Sequence, residues 1–577
     1  MITDIDSYLC EIKQSQIRTG LHVFGKQPSN TILLNLLMCI LRTPSNSYKA
    51  ITQVISSVLH LELDPLVDSV NEVISFNDSL ILENIISKKK IKVKHVLDWL
   101  EDQSKIFINY YFIKDDSSEI STSNFHSSLL LWSKSSAGKK YINYIDTVIW
   151  QPLYKSSSIE KQSLINSLCS SRIEAGPSGA PTRGRPEVLP TGRNFFSVDL
   201  RGLPTEAAWD LGRKSAENII ELYQQEHGEH LTHLALSVWG TSTMRNGGED
   251  VCQLLALIGV RPIWDGPSRR FVDLDVIPIT ILGRPRVDVT LRISGLFRDS
   301  FPNLINCVYK AQALIRSLNE PKEMNPFATS VQQGGTINRI YGSAPSAYGA
   351  GIQNLIDSGA WENRNDLAEA YISWSKWTYD QNAEPIEDKK GLKECLSKVK
   401  VVMHNQDNRE HDILDSDDYY QFQGGLTSAV EKESGTLPEI YFGDNSNLSL
   451  PKVHHLSKEI DKVVRSRVLN PKWINGMKEH GYKGAFEMGA TLDYLFSYDA
   501  TTGQVPDWCY AGICDTWLKN KDTISFLLSS NAWVLRDIAE RLLESHNRGL
   551  WNSANSSQKE LLKSIILKSE SKIESNI

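Results

Sequence analysis

The sequence predicts a multidomain α/β protein, with a mainly helical region over residues 1–170, an α/β core over 171–430 and a mainly helical region over 431–577. Three observations carry this. A chain of 577 residues exceeds one ordinary domain and suggests roughly three or four. Its composition shifts twice along its length. Between the shifts, short apolar runs alternate with polar loops and amphipathic helical text, the grammar of strand–loop–helix units.

The N-terminal region is rich in Ile, Leu, Ser and Lys and poor in Gly and Pro, and runs such as ITQVISSVLHLELDPLVDSVNEVI have helical periodicity. The apolar run TILLNLLMCIL is broken by Asn35 and is too short to cross a bilayer, so it reads as a buried helix. The opening MITDIDSYLCEIK carries acids and no basic segment, so no secretory signal is read there and a cytoplasmic location is expected. Residues 174–194, EAGPSGAPTRGRPEVLPTGRN, hold four Gly and four Pro, which forbid regular structure. Arg183, Arg185 and Arg193 are spaced among rigid prolines there, a pattern that fits an ordered anion-binding loop as well as a linker.

Within the core, WDLGRKSAENIIELYQQ is an amphipathic helix with Trp209, Ala216, Ile219, Ile220 and Tyr223 on one face. LTHLALSVWG reads as a buried strand, TSTMRNGG as a polar loop and EDVCQLLALIGV as a helix burying Val251, Leu254, Leu255 and Ile258. A loop that leaves the carboxyl end of a strand for a helix is an anion pocket, and Arg245, Glu249 and Asp250 fall in it. The pattern returns at VDVTLRISGLFRDSFP, where Val287, Val289 and Leu291 alternate with Asp288, Thr290 and Arg292, and Arg298 and Asp299 follow in the loop. Each arginine alone reads as a surface ion pair. Two equivalent loops with the same Arg-plus-acid chemistry point to one shared anionic ligand.

Several functions are excluded by elimination. The net charge is -7 with no dominant basic patch, so nucleic acid is not an expected partner. Eight scattered cysteines contain no CxxC pair, which supports neither a structural zinc site nor a disulfide framework. GLHVFGKQP approaches a phosphate-binding loop, but Gln27 stands where a magnesium-binding hydroxyl is required, and no other such loop exists. GSAPSAYGAG lacks the GxGxxG spacing and reads as a tight turn. The run HNQDNREHDILDSDDYYQFQGG packs two His, one Glu and five Asp into 22 residues yet lacks the ligand alternation of an EF-hand.

The runs ALSVWGTSTMRNGGEDVCQLLALIGVRPIWD, LGRPRVDVTLRISGLFRDSFP, RIYGSAPSAYGAGIQNLIDSGAWENRNDLAEAY and NQDNREHDILDSDDYYQF resemble the large-subunit family of aerobic cobaltochelatase, CobN, which is related to the large subunit of magnesium chelatase. The resemblance runs from about Gly20 to about Trp551, and YGSAPSAYGAG and NQDNREHD look more like its cobalt branch. The chain is about half the length expected of the family and corresponds to its C-terminal half.

The resemblance implies ATP-dependent insertion of Co2+ into hydrogenobyrinic acid a,c-diamide during cobalamin synthesis. It also implies CobS- and CobT-like partners, of which an AAA+ motor hydrolyses the ATP, and a separate polypeptide supplying the N-terminal half. A corrinoid is an apolar disc fringed with carboxylates and amides, and arginine forks match carboxylates. Arg183, Arg185, Arg193, Arg245, Arg292 and Arg298 are the substrate-binding candidates. Metal insertion needs groups that escort the ion and accept ring protons, tasks suited to imidazole and carboxylate. His404, His411, Asp412 and Glu249 are the metal candidates, and Glu410, His411, His480 and Glu487 the catalytic ones. Two other readings stay open: a magnesium-branch, H-type chelatase subunit acting on protoporphyrin IX, and a non-catalytic tetrapyrrole-binding remnant.

Overall fold

The computed structural model describes residues 23–575 apart from 43, 46–47, 67–73, 83–91, 115–124, 178–180, 184, 196–197, 269 and 449. The acidic N-terminal segment and Gly20 of the near-match phosphate loop lie outside the described residues. The chain divides into two compact units, Met1–Val198 and Asp199–Ile577.

The first unit is helical. Its helices include Asn30–Leu41, Ile51–Val58, Val93–Ile108, Ser127–Lys134 and Gln151–Leu168. They close on one apolar core that includes Leu33, Leu37, Ile55, Val96, Leu100, Ile108, Leu129 and Ile145. The expected buried helix over the TILLNLLMCIL run is present, begun by Ser29, whose hydroxyl accepts from the amide of Ile32 at 3.4 Å. The described end of the Pro/Gly/Arg stretch is tied to the last of these helices. Thr191 donates to Glu160 at 2.6 Å and its amide donates to Ser156 at 3.1 Å. The other oxygen of Glu160 takes the amide of Gly25 at 2.6 Å.

The second unit is built on an eight-stranded sheet. In chain order its strands are β1 (His233–Val238), β2 (Asp288–Ile293), β3 (Ile340–Gly342), β4 (Trp377–Tyr379), β5 (Pro385–Glu387), β6 (Val401–Gln406), β7 (Glu439–Asp444) and β8 (Lys452–His455). Across the sheet they run β8-β7-β6-β1-β2-β3-β4-β5. The five central strands, β7-β6-β1-β2-β3, are parallel, and the outer ones pair antiparallel. This is a doubly wound order: the chain works outward from β1 in one direction through β2 and β3, then returns to its other side with β6 and β7. The reversal lies between β1 and β6. The sheet continues to His455, with helices following it to Glu574.

Helix α1 (Glu206–His227) starts at Thr205, whose hydroxyl accepts from the amide of Ala208, and ends at Gly228 with φ +71°. It buries Ala208, Leu211, Ala216, Ile219, Ile220 and Tyr223, while Trp209, expected on this face, is only half-buried one position off it. Next come α2 (Gly240–Asn246) and α3 (Glu249–Ile258), and every residue of α3 is buried. Gly212 lets α1 approach α3 closely, since a Cβ there would sit 2.7 Å from the amide nitrogen of Gln253. Helix α4 (Gly295–Ser300) follows β2.

The alternation of β2 suggests a strand with one wet face, yet all six of its residues are buried. Both faces of a parallel sheet are covered, so its charged residues need internal partners. Asp288 meets the fork of Arg339 at 2.7 and 2.8 Å, and both side chains are 3% exposed.

Candidate functional site

In a doubly wound sheet the crevice beyond the carboxyl ends of the strands, where the order reverses, is where ligands sit. Four of the five parallel strands hand over at that end to a run singled out in the sequence, and the fifth, β7, to a further polar stretch. β1 leads to Trp239 and α2, β2 to Ser294 and α4, and β3 to the 343–351 turn. β6 leads to the acidic run and β7 to Asn445. One sheet edge therefore collects motifs dispersed over two hundred residues.

At the reversal point stand Trp239, just past β1, and His404 in β6. The indole N–H of Trp239 donates to Nδ1 of His404 at 3.3 Å. An indole nitrogen only donates, so the neutral imidazole carries its own proton on Nε2. That Nε2 is buried and has no hydrogen-bond partner, as is Oε1 of Gln406, two residues on along the same strand face. Burial drives the His404 pKa down to about 4, against smaller opposing effects of Gln406 and Asp407, so the ring is neutral at pH 7. Around it lie Tyr419 at 5.1 Å and Phe442 at 6.0 Å between ring centroids, and Phe422 packs 4.3 Å from Trp239. Buried polar atoms without partners cost about 1–3 kcal/mol each and call for an explanation. Here the side chains of His404 and Gln406 lie on one strand face close enough to interact, and Tyr419 reaches Gln406 as well, so a small polar group with loosely used hydrogen-bonding capacity stands at the topological ligand position.

Beyond β6 the loop is knit by its own side chains. Asp407 receives the fork of Arg245 at 2.8 and 3.2 Å and the amide of Asn408 at 2.8 Å. Oδ1 of Asn408 accepts from the backbone N–H groups of Glu410 and His411, both at 3.1 Å, and this turn leaves the two side chains exposed. Asn405, pointing to the other face of β6, donates to Asp250 at 2.8 Å and Gln253 at 2.6 Å, next to Glu249 in the buried first turn of α3.

Asp412 is buried and takes both prongs of Arg467 at 2.7 Å. Arg467 also lies 3.5 Å from Asp415 and donates to Thr491 of helix α5 (Gly481–Thr502) at 3.1 Å. Burial opposes its charge, but Asp412, Asp415 and the more distant Glu487 hold Arg467 more firmly protonated than a free arginine. The acidic run and α5 are thus tied through one guanidinium. Glu487 itself pairs with Lys483 one turn back, and His480 sits half-buried just before the helix.

On the β2–β3 side of the strand ends, Arg292 is fully enclosed. It donates to Ser375 at 3.0 Å, to the carbonyl of Ile293 and to the carbonyl of Gly349 at 2.9 Å, with its plane 4.4 Å from the Phe422 ring. Arg298 grips Asp299 at 2.6 and 3.0 Å and the carbonyls of Ala344 at 2.7 Å and Ala347 at 3.2 Å. These bonds pin the Gly-rich turn. Its Gly351, at φ +82°, packs so closely on Trp374 that a Cβ would lie 2.9 Å from the ring. In this structure both arginines brace the loops at the ends of β2 and β3.

The remaining arginine candidates lie in the first unit. Arg193 donates to the carbonyls of Glu187, Val188, Leu189 and Pro190 at 2.8–3.3 Å. Arg185 pairs with Glu187 at 2.8 Å, and Arg183 ends a short turn, its side chain outside the described residues.

Sequence reasoning missed Trp239, Gln406, Tyr419 and Phe422, although the YYQF following the acids was a visible aromatic signal. It also missed Asp418, whose carboxyl is pushed up to about 6 by burial and Asp417, with Arg292 opposing.

Comparison with known proteins bears on this site. The CobN/Magnesium Chelatase family model matches residues 1–558. The aerobic cobaltochelatase subunit CobN of Pseudomonas aeruginosa is 40% identical over 98% of this chain and 46% of its own length. That of a Sinorhizobium species is 39% identical over 96% and 45%. The H-type magnesium-chelatase protein of Chlorobaculum parvum is more distant, 31% identical over 70% of this chain and 32% of its own. Among solved structures, the catalytic subunit of cobaltochelatase from Mycobacterium tuberculosis superposes with a TM-score of 0.86 at 34% identity, over 99% of this chain and 46% of that one. The chain spans about half the length of the curated relatives it matches.

Proposed function

The chain belongs to the CobN/magnesium chelatase family, and from that premise we propose that it is the C-terminal half of a cobaltochelatase large subunit, inserting Co2+ into hydrogenobyrinic acid a,c-diamide in cobalamin synthesis. The higher identity to cobaltochelatase than to magnesium-chelatase relatives favours cobalt and a corrinoid over magnesium and protoporphyrin IX. ATP is hydrolysed by an AAA+ motor of the CobS type acting with a CobT-like subunit, and a separate chain supplies the N-terminal half. The assembly works in the cytoplasm. Among the described residues no helix is long and apolar enough to cross a membrane.

The observation that carries the reading is the His404 centre: an aromatic-walled position at the sheet's reversal where an N–H donor and a carbonyl acceptor are only loosely partnered. Aromatic walls suit a macrocycle's faces, and a donor beside an acceptor suits the amides and carboxylates of its fringe. In this tautomer His404 offers a proton at Nε2. To ligate cobalt there it must move that proton to Nδ1 and lose the Trp239 bond. Glu410 and His411 are placed differently. They reach solvent from a turn fixed by Asn408, so they escort the incoming ion and accept the ring protons, with His480 and Glu487 as further acceptors. Asp412 and Glu249 hold the surrounding loops and helix in place for the metal.

The test is insertion by the complete assembly, followed by the absorption change of the corrinoid. His411→Ala with Glu410→Gln should lower insertion by roughly 10²–10⁴ while corrinoid binding persists. Insertion within a few-fold of the parent at saturating cobalt would reject the assignment. Titration with corrinoid and protoporphyrin separates the two branches, and tight corrinoid binding without turnover in the full assembly would identify a remnant.

A further inference from the structure

A second constellation of metal-ligating side chains lies at the opposite end of the sheet. Glu226 and His227 close α1, Glu439 opens β7 and His455 ends β8. One ligand atom each from Glu226, Glu439 and His455 falls within 4.8 Å of the others. Nε2 of His455 is 2.6 Å from Oε1 of Glu226 and its Nδ1 is 3.6 Å from Oε2 of Glu439. Nε2 of His227 lies 3.3 Å from the remaining Glu439 oxygen. β7 separates this group from the crevice by its length, about 15–20 Å at the rise of a strand.

Three features distinguish it from an accidental ion pair. The donors come from three elements that converge, two imidazoles against two carboxylates. They are reachable, with side chains between 31% and 40% exposed. Glu226 is also oriented from behind: the buried phenol of Tyr441 donates to its Oε2 at 2.6 Å, which turns Oε1 toward His455. Such an outer hydrogen bond to a ligating carboxylate is the usual support of a metal site. The carboxyl end of α1, where its unpaired carbonyls gather, adds negative potential.

We propose that Glu226, Glu439 and His455, with His227 as fourth ligand, bind a borderline divalent cation of the Zn2+ or Co2+ class at the amino-terminal edge of the sheet, clamping the end of α1 to β7 and β8. Imidazole with carboxylate selects that class over Mg2+ or Ca2+, which take oxygen alone. The ion displaces the proton shared by His455 and Glu226, and the half-exposed side chains draw in to about 2 Å from it.

Full-length protein stripped with a chelator is titrated with Zn2+ alone and with Co2+ alone, by calorimetry and by the visible absorption of cobalt, with thermal unfolding measured in parallel. The parent should bind an equivalent that H455A and the isosteric E439Q both lack, and zinc should raise the unfolding midpoint of the parent but of neither variant. Tyr441→Phe should bind it about 10- to 100-fold more weakly. Circular dichroism establishes that each variant is folded. The same stoichiometry and affinity in parent and in folded E439Q would overturn the proposal, as would a parent that binds neither ion.

Discussion

The two sides of the strand-end crevice look alike in the sequence and differ in the structure. On the β2–β3 side, Arg292 and Arg298 spend their donors on backbone carbonyls, a hydroxyl and one acid. On the β1–β6 side, His404 and Gln406 hold a donor and an acceptor that find only loose partners, although they are equally buried. Charge drew attention to the first side, but loosely used hydrogen-bonding capacity marks the second. A guanidinium with five N–H groups is readily saturated by a tight turn, whereas an imidazole with one N–H cannot be shared out.

The largest expected effect breaks the first side. Arg292→Met leaves the Ser375 hydroxyl and two carbonyls without their donor inside the protein, at about 1–3 kcal/mol for each unpaired group. Urea unfolding should show a loss on the order of 3–5 kcal/mol, and a loss below about 1 kcal/mol would return Arg292 to the spare ligand-binding groups. Arg467→Met is comparable, since Asp412 would be left buried without its counter-ion, a change that costs about 3–5 kcal/mol.

His404→Phe sharpens the contrast from the other side. It removes a loosely partnered donor at nearly constant shape and leaves only the Trp239 N–H newly unsatisfied. Stability should move by no more than about 1–2 kcal/mol, while corrinoid binding by the assembled enzyme falls at least tenfold. Unchanged binding would make His404 a packing residue.

A smaller effect is set by pH. His404 titrates near 4 when folded, below its ordinary 6.5, so between these values the unfolded chain binds more protons and stability drops as pH falls through the window. Asp418 is raised from 3.8 to about 6, so its contribution has the opposite sign and is lost as pH rises through 6. His404→Phe should therefore flatten the acid slope of the unfolding free energy, and Asp418→Asn should stabilise the protein at pH 7 and steepen that slope. A pair of variants with superimposable pH profiles would contradict both environments. The smallest effect is on the exposed turn: Glu410→Gln and His411→Ala should leave stability within about 0.5 kcal/mol, so any loss of insertion in them is chemical.

Much of the architecture was legible because periodicity and turn chemistry are local. The helix over Asn30–Leu41, the strand over His233–Val238 and the helices over Glu249–Ile258 and Pro302–Arg316 stand where apolar spacing put them, but the polar stretches read as loops after β1 and β2 are short helices, Gly240–Asn246 and Gly295–Ser300, because each continues directly into the helix packing behind its strand. The partners of Arg292 and Arg298 were hidden because carbonyls of residues 344–349 leave no mark in a sequence. Asp412 reads as one more acid in an acidic run until Arg467, far along the chain, is brought to it. His404 was noticed for its type, but its significance lies in how loosely its Nε2 is partnered, which only the fold reveals.

The doubly wound order also has a consequence in time. Leu236 of β1 pairs with Leu291 on one side and with Met403 on the other. During synthesis the first neighbour emerges early and the second only after β2 to β5 have been made. Until then β1 has one open flank, an apolar template exposed to any passing strand. Pairings of such sequence separation are slow to form, and chains that wait for them are the ones that need protection from self-association. The residues from β2 to β5 set how long that wait lasts, and a chain arrested before Val401 should be captured by chaperones or aggregate, whereas one arrested after Asp444 should not.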